Sequence, residues 1–433
     1  MKSFRDFVPR SAELFSRRSV FGQGSSQASY GAALFARDCL AGIIVGVVAL
    51  PLAMAFSIAS GGTPAEGLYT AIAAGFCISA FGGSRYQIGG PTGAFVVIIY
   101  GVRASQGTGG LLAATLLAGI LLVVMGLTGV GRLVKYIPGP VITGFTAGIA
   151  LIIFSQQVKD FFGLQLPHAP PEFFEKWAAY LAQASTFHAA ACAVGLGTLG
   201  IMVLLRRFAP RIPGAPVAVV TVTAVCRALA LPVETIGTRF GGLPTGLPLP
   251  VLPAMNMALL RGVLPGAFSI ALLAAIESLL SAVVADDMTG DRHNADMELV
   301  GQGIGNMASA IFGGIPATGA IARTAANIKN GAVSPVAGMV HALTLVLFIL
   351  CFSRAASAIP LSCLAAVLMV VAWDMSSLRR CIGIIRGTSR SDAVVLLVTF
   401  AFTVVFDLVM AVGAGVALAF IWSRLEFRAH GKR

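Results

Sequence analysis

Residues 111–130, LLAATLLAGILLVVMGLTGV, run for the width of a bilayer without one charged side chain. About 20 consecutive apolar residues cross the hydrocarbon layer as a helix, and in lipid every backbone N–H and C=O must be satisfied within the protein. The run therefore commits the chain to an integral membrane protein built from helices. The rest of the sequence agrees: 57% of the 433 residues are hydrophobic and 11% charged, with a mean hydropathy of +0.88. Apolar segments recur near residues 38–59, 66–83, 86–102, 108–131, 134–156, 187–206, 213–231, 263–287, 295–312, 314–329, 333–353, 357–373, 391–408 and 409–424. The predicted fold is an all-α polytopic membrane protein with 14 transmembrane segments.

Charge sets the orientation. With the amino terminus inside, 23 of the 30 Lys and Arg residues fall at inner ends of spans or in the tails, as the positive-inside rule requires. That bias accounts for most of the net charge of +12 without a nucleic-acid partner. The first 37 residues are polar and Arg-bearing, unlike a signal peptide. The expected layout is a cytoplasmic tail over 1–37, a first repeat over 38–231, a second over 260–425 and a cytoplasmic tail over 426–433, in a bacterial inner membrane. The seven cysteines are scattered singly, with no metal-ligand or disulfide spacing. No cofactor or metal is expected.

Two of the spans are broken. FGGSRYQIGGPTGAF (81–95) has a partner in FGGIPATGAIA (312–322), and YIPGPVITGF (136–145) parallels AIPLSCLAAV (358–367). Seven spans per copy is an odd number, so the copies insert with opposite orientation, a 7+7 inverted repeat. Spans 3 and 10 then become half-helices. Extended backbone enters from each face, and Pro91 and Pro316 occupy first-turn positions where a missing N–H costs nothing. Two helix amino termini meeting near the midplane offer partial positive charge and free N–H groups to an anion. Other features converge there. Pro51 would kink span 1 at mid-depth, with Phe56 just beyond. Glu277 lies deep in span 8 and is a functional candidate by default, with Ser281 four residues on, along the same helix face. Glu298, Gln302 and Asn306 form an i, i+4, i+8 stripe that reads as hydrogen-bonding glue. His168, His188 and His341 earn no role. One deep acid makes no catalytic cluster, so an enzyme is not expected.

The blocks VALPLAMAFSIASGGTPAEGLYTAI, GGSRYQIGGPTGAF, AAIESLLSAVVADDMTGDRHNADMELVGQGIGN and FGGIPATGAIARTAANIKNGAVSPVAG resemble the SulP (sulfate permease) family of anion transporters, from residue 37 to about 425. The resemblance implies a moving core of spans 1–4 and 8–11 against a gate domain that often dimerises. It implies an anion pocket walled by Phe56 and Phe95 and closed by Gly319, Ala320, Ile321, Ala322 and Arg323. It links Glu277, with Ser281 beside it, to coupling by H+ or Na+. Leu52 stands where many members carry glutamine and Ala322 where many carry serine, so side-chain donors are fewer here. Family members commonly continue into a STAS domain; this sequence stops at SRLEFRAHGKR, either as a natural short form or as a truncation. The function expected is secondary active transport of a small anion, sulfate, bicarbonate or a dicarboxylate, by H+ symport. The alternatives are uncoupled exchange or channel-like conduction, and Na+-coupled bicarbonate uptake.

Overall fold

A computed structural model of the protein describes residues 9–11, 30–131, 138–166, 170, 173–210, 212–246, 248–253, 257–387, 389–405, 411, 413–420 and 422. His168 and some of the segment 409–424 lie outside them. Helix α1 (Ala32–Ala59) runs through Pro51, and α2 (Pro64–Phe81) returns. A two-residue strand, β1 (Gly89–Gly90), and a 3-10 turn (Gly93–Phe95) lead into α3 (Val96–Thr128). Within α3, Gly107 adopts φ 70°, ψ −176°. That left-handed backbone is open to glycine, and it divides α3 into two apolar segments.

Helices α4 (Gly139–Phe162), α5 (Phe173–Ala182), α6 (Ala189–Phe208), α7 (Gly214–Ala228) and α8 (Ile236–Phe240) complete the first half. The second begins with α9 (Met257–Thr289) and α10 (Ala295–Ile311), then β2 (Thr318–Gly319) and α11 (Ile321–Lys329). It continues through α12 (Val336–Ala356), α13 (Leu361–Met375), α14 (Leu378–Gly387) and α15 (Arg390–Val405). Among the described residues seven helical stretches are long and apolar enough to span a membrane. Their outer faces suit lipid: Leu343, Leu347 and Leu350, at helical spacing on α12, are each more than half exposed. In water such a stripe would drive aggregation.

Packing falls into two groups. α1, α2, α3, α9, α10 and α12 pack on one another around β1, β2 and α11, while α4 packs on α13 and α15, and α6 on α7 and α13. Small residues set the spacing in the first group. A Cβ built on Gly303 would lie 2.5 Å from the Gly119 carbonyl oxygen, and one on Gly119 2.7 Å from that of Gly303. The backbones of α3 and α10 are therefore in direct contact, as small residues permit in membranes. Gly303→Val is expected to destabilise the protein by about 3 kcal/mol, the upper end of typical overpacking costs; equilibrium unfolding in mixed micelles measures it, and an unchanged midpoint would contradict this contact.

The amino-terminal end of α1 is tied to the second half. Asp38 is fully buried and accepts from Val333 N (2.7 Å), Ser334 N (3.2 Å), Ser334 Oγ (2.5 Å) and Tyr30 Oη (2.7 Å). The helix starts at Ala32, inside the stretch assigned to the tail, and Asp38 meets buried partners rather than water.

Candidate anion site at two broken spans

Two extended segments bring the site together. Gly89 pairs with Gly319 and Gly90 with Thr318 in an antiparallel ladder, extended by Ala320 N to Ile88 O at 2.9 Å. Pairing falls on Thr318–Gly319 because Asn306 already fastens the preceding backbone, donating to Ala317 O (2.8 Å) and accepting from Ala317 N (2.9 Å). Thr70 and Ser309 secure Ile315 in the same way. On the other segment Glu298 accepts from Gly83 N (2.9 Å) and Ser84 N (3.1 Å), and from Gln302 (2.8 Å). The polar stripe on α10 therefore holds both extended stretches, satisfying backbone that lipid could not.

The prolines are not where the first-turn rule put them. Pro91 precedes the 3-10 turn, and Pro316 lies five residues before α11 begins at Ile321. The extended pairing takes the intervening residues, so α11 opens on Ala320 as its N-cap, without a side-chain cap. The N–H groups of Ile321, Ala322 and Arg323 belong to the first turn and have no intrahelical acceptor. Ile321 and Ala322 are exposed, Ala320 and Gly319 buried.

Arg323, tallied by sequence among the inner-face charges, is instead only 3% exposed. Its Nη2 donates to the Pro91 carbonyl, and its Nη1 is buried with no partner. A side chain at Gly90 would meet that Nη1, since a Cβ there would lie 2.5 Å away. The guanidinium thus lies under the Gly90–Pro91 backbone, linking one broken span to the other. Across Pro91, the Thr92 hydroxyl donates to Glu277 Oε2 at 2.9 Å. No ion pair joins Glu277 to Arg323 among the described residues.

The remaining candidates divide. Phe95 is fully buried, Phe56 5% exposed and Leu52 half-buried. A Cβ on Gly93 would lie 3.1 Å from the Phe56 ring, 2.5 Å from Ile153 and 3.3 Å from Met375 Sδ. Phe56 therefore sits at the start of the broken span 3, where α4 and α13 press on it. Ser281 is turned to other partners: its hydroxyl lies 2.9 Å from Gln87 Oε1 and 3.2 Å from Thr324 Oγ1, while Gln87 Nε2 donates to Ser278 O at 3.0 Å. The structure brings Ser281 to the fasteners of β1, not to the Glu277 carboxyl. Thr92 and Gln87 escaped sequence reading; the PTG of the repeat motif was the available signal for Thr92. His341, given no role from the sequence, is in the same interior. It is fully buried with both ring nitrogens unpartnered, beside Gly75, whose Cβ would lie 3.2 Å from Gly89 O.

A buried guanidinium with a free donor at an uncapped helix amino terminus, inside a helical membrane fold, is chemistry that suits an anion. The sequence profile of the Sulfate permease family matches residues 35–399, and the chain belongs to that family. It is an integral, multi-pass membrane protein of an anion-transporting family, not an enzyme. YvdB of Bacillus subtilis (strain 168) is 47% identical over 395 residues, 91% of this chain and 74% of that protein. The bicarbonate transporter BicA of Picosynechococcus sp. (strain ATCC 27264 / PCC 7002 / PR-6) is 31% identical over 396 residues, 88% of this chain and 69% of that one. The solved transmembrane domain of a cyanobacterial BicA superposes with a TM-score of 0.79 at 31% identity, covering 89% of this chain and 98% of that domain. SLC26A9 shares the fold, with a TM-score of 0.81 at 20% identity over 90% of this chain and 65% of that one.

Proposed function

We propose that the protein is a secondary active transporter of a small anion, coupled to protons through Glu277. The observation that carries this reading is the unpartnered Nη1 of Arg323 at the open first turn of α11. An oxyanion there completes the guanidinium's hydrogen bonding and accepts from the free amides of Ile321 and Ala322. Phe56, Phe95 and Leu52 supply the apolar wall. Because position 52 is leucine and 322 alanine, selection among anions rests on size and backbone donors. A carboxylate and an anion in one apolar site repel, and a proton on Glu277 relieves the repulsion. Binding of the anion then brings a proton with it.

In this reading the chain crosses the inner membrane 14 times as two inverted repeats, both termini cytoplasmic. The short helices α5 and α14, each ahead of the sixth span of its half, support that symmetry. The α1–α3, α9–α12 group carries the site past the α4, α6, α7, α13, α15 group, which is the surface for a homodimer.

The test is uptake of labelled sulfate, bicarbonate and fumarate into proteoliposomes under an inward proton gradient, an inward sodium gradient or neither. Proton-driven accumulation of one anion is expected, and Glu277→Gln is expected to abolish the gradient dependence while leaving exchange. Exchange that ignores both gradients in the wild type would establish an uncoupled exchanger; sodium-driven bicarbonate uptake would move coupling from H+ to Na+.

A further inference from the structure

The Arg323 site leaves another buried cation unexplained. Lys176, on α5, is 5% exposed, and among the described residues no carboxylate lies within ion-pair distance of it. Its one recorded contact is the Tyr100 ring, with the ammonium 5.8 Å from the centroid, at the outer limit of a cation–π interaction. Glu175, the acid next to it in sequence, is exposed. Burial alone pushes the Lys176 ammonium below its ordinary pKa. An ammonium withdrawn from water is costly, and among the described residues no carboxylate offsets it, which leaves room for an anionic ligand.

The space for one is present. A cavity of about 180 Å³ opens between α3, α4, α5 and α15, lined by Lys176, Tyr100, Val97, Ile152, Gln156 and Thr403 among others. Gln156 buries an amide oxygen with no donor in reach. At about 30 Å³ per water, the volume suits a small oxyanion with a few waters and is too small for a nucleotide. The cavity adjoins the transport site: Val97 follows the Gly93–Phe95 turn, and Ile152 precedes the Ile153 that presses on Gly93.

We propose that this crevice is a second anion station, in which the Lys176 ammonium, with Tyr100 and Gln156, holds the small oxyanion one step before it reaches Arg323. The station rests on the anion-transport reading and is placed at the outer face by the topology above. Labelled sulfate and bicarbonate uptake is measured over a concentration series for wild type, Lys176→Met and Lys176→Arg. Loss of one charged contact raises the half-saturating concentration about tenfold in Lys176→Met, with the maximal rate within about twofold of wild type, and Lys176→Arg restores it. An unshifted half-saturation overturns the station while leaving the transporter reading intact; a wild type that takes up neither anion sinks the transporter reading instead. Binding is read apart from transport by calorimetric titration of purified protein with sulfate and with bicarbonate. Arg323→Met keeps a weak anion site that Arg323→Met/Lys176→Met lacks; identical isotherms for the two overturn the station.

Discussion

Arg323→Met is expected to abolish concentrative anion uptake, lowering the initial rate by roughly 30- to 5,000-fold, while the protein still folds and inserts. The factor follows from removing a desolvated charged contact, about 2–5 kcal/mol. Folding survives for a separate reason. Arg323 makes one recorded hydrogen bond, to the Pro91 carbonyl, and leaves Nη1 without a partner, so its burial is a cost that an apolar side chain of similar length removes. Arg323→Lys falls between the two, because a compact ammonium cannot hold Pro91 and face the α11 terminus together as a planar fork does. Initial-rate uptake in proteoliposomes, with elution by size exclusion to certify the fold, reads the result. Uptake of Arg323→Met within threefold of wild type would remove the guanidinium from the site.

Glu298→Ala has the opposite signature, loss of the protein rather than of its chemistry. The carboxylate is fully buried and satisfies two backbone amides of the first extended stretch and the amide of Gln302. Its removal leaves those donors stranded where no water replaces them, and about 3–5 kcal/mol of stability is lost. Glu298→Gln retains one acceptor oxygen and is expected to lose less. Equilibrium unfolding in mixed micelles separates the three proteins; an unfolding midpoint for Glu298→Ala equal to that of the wild type would show that the Gly83–Ser84 stretch is held by other means.

Much of this was legible in the sequence, and the illegible features have physical causes. Uninterrupted apolar runs and glycine–proline breaks at 82–95 and 312–322 are local signals, so the helices and the two interruptions could be found without coordinates. The depth of Glu277 follows from rise per residue alone. Proline preference misled at Pro91 and Pro316, because a first-turn propensity is a weak prior that a tertiary ladder overrides. Arg323 was read two ways, counted among the inner-face cations and placed in the pocket by the resemblance; nothing local tells that its guanidinium folds back beneath Gly90. Ser281 shares a helix face with Glu277, yet which neighbour its hydroxyl meets depends on Gln87, far away in sequence. Lys176 carried no signal at all, since one lysine in an amphipathic helix ordinarily extends its ammonium to water.

The two-residue ladder between Gly89–Gly90 and Thr318–Gly319 has a mechanical consequence. Each interrupted span is hydrogen-bonded to the other as well as to the helices around it, and Arg323 riveted to Pro91 adds a further tie across the same seam. Neither jaw of the site can swing away from its mate without breaking all of these ties in a medium that offers no replacement donors. On the proposed alternating-access reading, the two segments are expected to move together as one clasp rather than to open at a hinge between them.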